Sequence, residues 1–222
     1  MIVNVKICGL TTPEMVRAAC EAGASAVGFV LSPSVRQISP EKAHDLAEAA
    51  FHSVKRVAVF KGLTPADLIK VESLGGLTHI QADAEDEELV RRFAPSLGFI
   101  PVYRDVPLLR VQLGDECTRP PRLILIEGAI SGIGMLPDWG RVARAAATIA
   151  RPWMLAGGLT PQNVSRAIQA TGPTWVDVSS GVESAPGVKD AALIAQFIEE
   201  ANKGFKEHAL LNPQAPRQSP KH

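Results

Sequence analysis

The sequence has no excess of charge of either sign. Its 222 residues include 23 lysines and arginines, which balance 23 aspartates and glutamates. A nucleic-acid-binding protein usually carries a basic excess, so this balance argues against nucleic acid as a partner. A small phosphorylated substrate stays compatible with a neutral chain, because the N-terminus of a single helix can hold one phosphate group.

Cysteines are few, and long hydrophobic runs are absent. Cys8, Cys20 and Cys117 are odd in number and include no CxxC pair. We therefore predict neither a disulfide framework nor a zinc site, and we expect a cytoplasmic protein. The longest apolar stretch, around residues 22–31, is much shorter than the roughly 20 residues that span a bilayer. The first residues also lack the features of a signal peptide, so no membrane partner is expected.

Short apolar runs alternate with longer helical segments along the chain. Runs of this kind are typical of strands that are buried on both faces of a parallel sheet. The predicted strands cover residues 3–8, 26–31, 55–60, 78–81, 98–103, 123–126, 153–156 and 175–179.

Four of the helical segments begin with the same device, a hydroxyl side chain followed by proline. The pairs are Thr12-Pro13, Ser39-Pro40, Thr64-Pro65 and Thr160-Pro161. The hydroxyl caps the first backbone N–H groups, and proline at the first helical position loses no hydrogen bond. Further helices are predicted over residues 85–93, 138–147 and 189–200, and the remaining crossover must lie near residues 107–116. Each helix follows a strand, which indicates a repeated strand–loop–helix unit.

Eight strands and about eight crossovers predict an α/β fold, a single (β/α)8 TIM barrel over residues 1–203. A doubly wound open sheet is the alternative. It would require a Gly-x-Gly-x-x-Gly turn after the first strand, and the segment that begins at Cys8 does not supply one. Residues 204–222 are polar and contain several prolines, so we expect a disordered C-terminal tail.

In such a barrel the chemistry lies where the strands end at their C-terminal side. Cys8 ends the first strand, where a thiol could act as nucleophile or base; the alternative is a small buried apolar residue. As a base it should have a pKa below the free value of about 8.5. Glu127 follows the apolar strand 6, where burial favours the protonated form that a general acid needs. The alternative is a structural carboxylate paired with an arginine or lysine.

Small residues follow strands 7 and 8. Gly157 and Gly158 let the backbone approach an anion closely, and the next helix points its first N–H groups toward the same place. Ser180 and Gly181 add donors one strand further round the barrel. This pattern predicts a phosphate site; the alternative is a glycine turn that serves packing alone. Asp177, within strand 8, is compatible with either a buried structural role or the orientation of another side chain.

Five segments carry a family resemblance. They are VKICGLT (5–11), GASAVGFV (23–30), SPSVR (32–36), LAGGLTPQNV (155–164) and VDVSSGVESAPGVKD (176–190). In these motifs, and in their order, the sequence resembles phosphoribosylanthranilate isomerase of tryptophan biosynthesis, a family of short (β/α)8 barrels. The resemblance implies an Amadori rearrangement of a phosphorylated aminoribose by acid–base catalysis, with no metal and no organic cofactor.

The resemblance also implies roles for individual residues. Cys8 matches the family's general base, and Glu127 stands at the position of its general acid. Arg36 and Asp177 are the expected substrate-binding residues, with Arg36 near the anthranilate end. The expected phosphate-binding residues are Gly157, Gly158, Ser180 and Gly181. A monomer or homodimer is expected.

Three positions depart from the family pattern. The family has an aspartate where this chain has Glu127, and its Gln-Leu-His-Gly after strand 4 is here Gln81-Ala-Asp83-Ala. A polar loop after strand 6 becomes apolar over residues 133–136. These changes leave two alternatives open: a diverged barrel that isomerises another phosphorylated sugar or aminosugar, and a non-catalytic barrel that binds a phosphorylated metabolite.

Overall fold

The computed structural model describes residues 4–104, 123–127, 138–147, 149 and 151–212. Eight parallel strands form a closed barrel in chain order, and β8 returns to pair with β1. This closure confirms the predicted barrel and excludes the doubly wound sheet. The strands are β1 Val5–Cys8, β2 Ala26–Val30, β3 Lys55–Val59, β4 His79–Asp83, β5 Gly98–Tyr103, β6 Ile124–Glu127, β7 Trp153–Ala156 and β8 Trp175–Val178.

Helices cover the outside of the barrel. They are α1 Pro13–Glu21, α2 Pro40–Ala47, α3 Pro65–Leu74, α4 Glu87–Phe93, α5 Trp139–Ala146, α6 Val164–Thr171 and α7 Ala191–Leu211. Short 3-10 turns occupy Ala84–Asp86 and Ser180–Val182, and a small hairpin pairs β9 Glu183–Ala185 with β10 Val188–Lys189. Among the residues that the structure describes, no helix is both long and apolar enough to cross a bilayer.

Three of the four predicted helix starts are confirmed. The hydroxyls of Thr12, Ser39 and Thr64 each accept a backbone N–H from the first turn of α1, α2 and α3. The fourth is wrong, because α6 begins only at Val164. The side chain of Asn163 accepts the N–H of Thr160 at 2.8 Å and donates to the carbonyl of Gly158 at 3.0 Å. These bonds hold the preceding residues in a turn, so Thr160 does not act as the cap.

The predicted boundary between barrel and tail is also wrong, because α7 continues to Leu211. Gly204, where the tail was expected to begin, is buried against α6: a Cβ on it would lie 2.8 Å from Cα of Ser165. Phe205 packs against the hydrophobic core. Residues 213–222, the predicted crossover at 107–116, Cys117 and the loop at 131–136 lie outside the described residues.

Two apolar clusters occupy the two faces of the sheet. The larger lies between strands and helices, and the smaller consists of residues on the strands, with Leu123 just before β6, that fill the inside of the barrel. The smaller cluster comprises Ala26, Val57, Ile100, Val102, Leu123, Leu125, Met154, Ala156 and Trp175. Because side chains alternate along a strand, the next interior residues toward the C-terminal end of β5, β6 and β8 are the polar residues Arg104, Glu127 and Asp177. The strand register places Cys8 beside Gly28 and Asp83 beside Val102, on the same inner face of the barrel. The polar end of the interior is where the candidate site lies.

Candidate active site

Cys8 lies at the end of β1 and is almost fully buried. Gly28 faces it from β2, where a Cβ would stand 3.0 Å from Sγ of Cys8 and 3.0 Å from Cε of Lys6. The glycine therefore makes the space in which both side chains fit. Lys6, two residues before Cys8 on the same face of the strand, is fully buried inside the barrel. Lys6 was not among the residues predicted from the sequence to form the site.

An ion pair joins Lys6 to the neighbouring strand β8. Nζ of Lys6 lies 2.8 Å from Oδ1 of Asp177. Burial disfavours the charged ammonium, but Asp177 and Cys8 together raise the pKa of Lys6 above its ordinary value. A buried charge of this kind requires a partner, and Asp177 supplies it. In the structure the expected substrate-binding residue Asp177 is thus a partner of Lys6.

Burial raises the pKa of the Cys8 thiol, while the nearby charge of Lys6 opposes that effect. The predicted pKa below the ordinary thiol value is therefore wrong for this structure. Desolvation is the dominant cause, because a thiolate inside the barrel loses its hydration. Lys6 and Lys189 both act in the opposite direction and favour the thiolate.

A second charged group surrounds Arg36. Nε and Nη2 of Arg36 donate to the two carboxylate oxygens of Glu183 at 2.6 and 2.7 Å. Lys189 donates to the same carboxylate at 2.5 Å and to the carbonyl of Ser179 at 2.9 Å. Burial would raise the pKa of Glu183, but these two cations lower it to about 2. Burial also lowers the pKa of Lys189, against the effect of Glu183.

This group lies directly beside Cys8. The hydroxyl of Ser179 donates to the carbonyl of Cys8 at 3.2 Å. Gly9 has φ of 78°, and a Cβ on it would stand 2.6 Å from Cδ of Arg36. The loops after β1, β2 and β8 are therefore packed together by the side chain of Arg36. Sequence reasoning selected Arg36 but missed Glu183 and Lys189, although both lie in the motif 176–190.

Glu127 lies at the end of β6 and contacts Arg104, the first residue after β5. Oε2 of Glu127 is 3.5 Å from Nε of Arg104. Nη1 of the same guanidinium pairs with Oδ1 of Asp83, the last residue of β4. One arginine thus lies between carboxylates from the strands on both sides. No residue of strand 5 was predicted from the sequence to form the site, although Arg104 stands directly after β5, at the strand end where the other site residues lie.

The glycines expected to bind phosphate have the backbone that the interpretation requires. Gly157 and Gly158 have φ of 96° and 63°, which favour glycine. Gly181 follows β8 and lies against the loop after β7, since a Cβ on it would stand 1.9 Å from the carbonyl oxygen of Leu159. Gly181 is the middle residue of the 3-10 turn that covers Ser180–Val182. The structure brings these two loops together, and phosphate binding at this place stays a prediction.

A closed parallel barrel with a thiol, a carboxyl group and glycine-containing loops at its C-terminal mouth defines an enzyme of the (β/α)8 class. Residues 5–200 match the family model described as N-(5'phosphoribosyl)anthranilate (PRA) isomerase. The chain belongs to this family of isomerases, which confirms the resemblance.

Individual relatives agree with the family model. The isomerase of Streptococcus pneumoniae is 35% identical over 202 residues, covering 91% of this chain and 97% of the relative. That of Paracoccus denitrificans is 38% identical over 221 residues, covering 90% and 98%. The crystal structure of the Thermotoga maritima isomerase is similar with a TM-score of 0.77 at 35% identity, covering 90% of this chain and 98% of that one. A further crystal structure of a phosphoribosyl anthranilate isomerase, in complex with reduced 1-(o-carboxyphenylamino)-1-deoxyribulose 5-phosphate, has a TM-score of 0.75 at 35% identity, covering 90% of this chain and 98% of that one.

Proposed function

We propose that this chain converts N-(5'-phosphoribosyl)anthranilate to 1-(2-carboxyphenylamino)-1-deoxyribulose 5-phosphate, with Glu127 as general acid and Cys8 as general base. The observation that carries the proposal is that both residues occupy the last interior position of their strand, in a barrel of this isomerase family. The mouth of the barrel is where enzymes of this fold act.

Glu127 begins the reaction as an acid. Its carboxyl group gives a proton to the ring oxygen of the aminoribose, the bond from C1′ to that oxygen breaks, and a Schiff base forms between C1′ and the nitrogen. The carboxylate that remains lies beside the guanidinium of Arg104. A positive charge at that place stabilises the carboxylate as the proton leaves.

Cys8 then acts as the base. Its thiolate takes the proton from C2′, the electrons of that C–H bond form a double bond between C1′ and C2′, and the electrons of the C1′–nitrogen double bond move to the nitrogen, which gives an enolamine. This tautomerises when C1′ gains a proton and the hydroxyl on C2′ loses one, which gives the ketone. Because burial raises the pKa of Cys8, the charges of Lys6 and Lys189 are needed to keep the thiolate accessible.

The remaining residues bind the two ends of the substrate. A guanidinium has five N–H donors, and the contact with Glu183 uses those of Nε and Nη2, so Arg36 retains further donors for the anthranilate end. Gly157, Gly158, Ser180 and Gly181 hold the phosphate through backbone N–H groups. Asp177 acts through Lys6 and so orients the cation beside Cys8.

Complementation tests this function. A tryptophan auxotroph that lacks its own phosphoribosylanthranilate isomerase should grow when it expresses this chain. The Cys8→Ser and Glu127→Gln variants should not support growth, because each removes one proton-transfer group. Cys20→Ser is the matched control, since Cys20 is a buried thiol of α1 away from the mouth, and it should support growth.

The two alternatives give other outcomes. A barrel that isomerises another phosphorylated sugar, or one that only binds a phosphorylated metabolite, would leave the auxotroph without growth although the protein is folded and present. Growth with Glu127→Gln equal to growth with the unchanged chain would remove Glu127 from the mechanism.

We expect the protein to be cytoplasmic, and a monomer or a homodimer. One related structure is that of a monomer generated from a dimeric isomerase of Thermotoga maritima.

A further inference from the structure

Arg104 connects the mouth residues of three adjacent strands. The pairing of Tyr103 with Ile126 places the next residues, Arg104 and Glu127, side by side. On the other side of β5, the strand register pairs Asp83 with Val102. Val102 lies two residues before Arg104 and faces the inside of the barrel as Arg104 does. The guanidinium therefore reaches Glu127 across one strand boundary and Asp83 across the other.

The three side chains are sheltered but open to the mouth. Arg104, Asp83 and Glu127 retain 26%, 28% and 17% of their side-chain exposure. Charges with this degree of shelter are less screened by salt and water than charges on the open surface. When Glu127 is protonated, as a general acid requires, the charge of Arg104 is balanced by the carboxylate of Asp83. No uncompensated positive charge is then left to hold a substrate anion, so a role toward Glu127 fits the group better than a role as an anion site.

We infer that Arg104 is a positioning residue for the general acid: anchored by Asp83, it holds the carboxyl group of Glu127 in the orientation for proton transfer. A glutamate has one more rotatable bond than an aspartate, and a misplacement of about 1 Å can cost about 100-fold in rate. Nε of Arg104 makes no hydrogen bond with a described residue, but the charge of the guanidinium, 3.5 Å from Oε2 of Glu127, favours the rotamers that keep the carboxyl group beside it. The guanidinium also stabilises the carboxylate that proton transfer leaves behind.

This inference rests on the proposed function, and two groups of variants separate the two. The first contains Arg104→Gln, which removes the charge, Arg104→Lys, which keeps the charge but not the fork of the guanidinium, and Asp83→Asn, which removes the anchor. The second contains Glu127→Gln and Glu127→Asp, alone and combined with Arg104→Gln. Arg17→Gln is the matched control, because Arg17 forms an exposed ion pair with Glu14 on α1.

The readouts are kcat and KM for phosphoribosylanthranilate, with thermal unfolding of every variant. Arg104→Gln should lower kcat by about 10- to 100-fold and change KM by less than about threefold, because the acid and not the binding of substrate is disturbed. Arg104→Lys should keep more of kcat than Arg104→Gln, and Asp83→Asn should show a smaller loss. Arg17→Gln should match the unchanged chain.

Coupling between the two positions distinguishes positioning from a general structural effect. In the Glu127→Gln background, Arg104→Gln should lower turnover by less than about twofold, because residues that act as a unit are not additive. In the Glu127→Asp background its cost should also be smaller than in the unchanged chain. If Arg104→Gln is unstable, the same coupling is measured with Arg104→Lys and Asp83→Asn.

Three results would overturn the inference while the proposed function stands. The first is an unchanged kcat in Arg104→Gln when Glu127→Gln is inactive. The second is an Arg104→Gln variant in which KM rises and kcat is unchanged. The third is an Arg104→Gln substitution that lowers turnover by the same factor whether residue 127 is glutamate, glutamine or aspartate. An unchanged chain that is folded but does not turn over phosphoribosylanthranilate would instead overturn the proposed function, and the inference with it.

Discussion

At the scale of single residues, the site depends on charges that are buried inside the barrel. Lys6 and Lys189 are buried cations. Lys6 pairs with the carboxylate of Asp177, and Lys189 pairs with that of Glu183. Replacing one partner of such a pair leaves the other charge without compensation, which is far costlier than the loss of a surface pair. The two pairs also place positive charge beside the thiol of Cys8.

The pairing of Glu183 makes stability depend on pH. Arg36 and Lys189 hold its pKa at about 2, against an ordinary value of 4.5. A carboxyl group whose pKa is lower in the folded chain stabilises the fold above pH 4.5, and this contribution is lost as the pH falls toward 2. We expect Glu183→Gln to reduce the free energy of unfolding at pH 7 by up to about 3 kcal/mol, and the difference from the unchanged chain to shrink between pH 5 and pH 2.

Chemical denaturation at a series of pH values checks this prediction. Glu41→Gln is the control, because Glu41 pairs with Lys70 on the surface and both side chains are about half exposed; its effect should be small at every pH. A difference for Glu183→Gln that stays constant from pH 7 to pH 2 would show that its ion pairs do not stabilise the fold in this way.

Residue types and spacing revealed only part of the site. Cys8 and Glu127 could be selected because each ends an apolar strand, and Arg36 because it lies in a family motif. Lys6 and Arg104 could not, since a charged residue in or after a strand is buried only when a distant strand brings its partner. Asp177 is 171 positions from Lys6 along the chain. Only the closure of β8 on β1 makes the two neighbours.

At the scale of elements, strands were easier to predict than helix ends. Strands that are buried on both faces need nearly continuous apolar sequence, and the eight predicted runs lie within a few residues of the observed ones. Helix starts were correct where a hydroxyl caps the first turn, as at Thr64, whose side chain forms a capping box with Asp67. The start of α6 was wrong because the side chain of Asn163 holds a turn before it.

Helix α7 gives a prediction about the end of the barrel. Gly204 packs against α6, and Phe205 packs against the hydrophobic core. His208 packs against Gly172, since a Cβ on Gly172 would lie 3.1 Å from Nε2 of His208. A chain that ends at residue 203 should therefore lose several degrees of thermal stability, because it loses buried apolar contacts. A chain that ends at residue 212 should unfold at the same temperature as the full chain.

Thermal unfolding of the two shortened chains and the full chain measures this difference. Equal unfolding temperatures for all three would mean that residues 204–211 add nothing to the barrel. The boundary predicted from the sequence lies too early because the apolar side chain of Phe205 belongs to α7, although the residues that follow the helix are mostly polar.

At the scale of the whole molecule, the order of strands places all candidate groups at one end. Cys8 on β1 and Asp177 on β8 are neighbours across the closure of the barrel, and the group of Asp83, Arg104 and Glu127 spans β4 to β6. The barrel alone could be predicted from the alternation of strands and helices. The ion pairs that orient the acid and hold a cation beside the base depend on which strands become neighbours, so they required the structure.

Steady-state turnover of phosphoribosylanthranilate by the purified full-length chain tests the central claim most directly. The unchanged protein should convert this substrate to the deoxyribulose phosphate product without added metal or cofactor. Glu127→Gln should lower kcat by at least about 100-fold, and Glu127→Asp should retain activity because it keeps the acid. A folded, unchanged protein that gives no product, or a Glu127→Gln variant with the kcat of the unchanged protein, would contradict the assignment of acid–base isomerisation to this barrel.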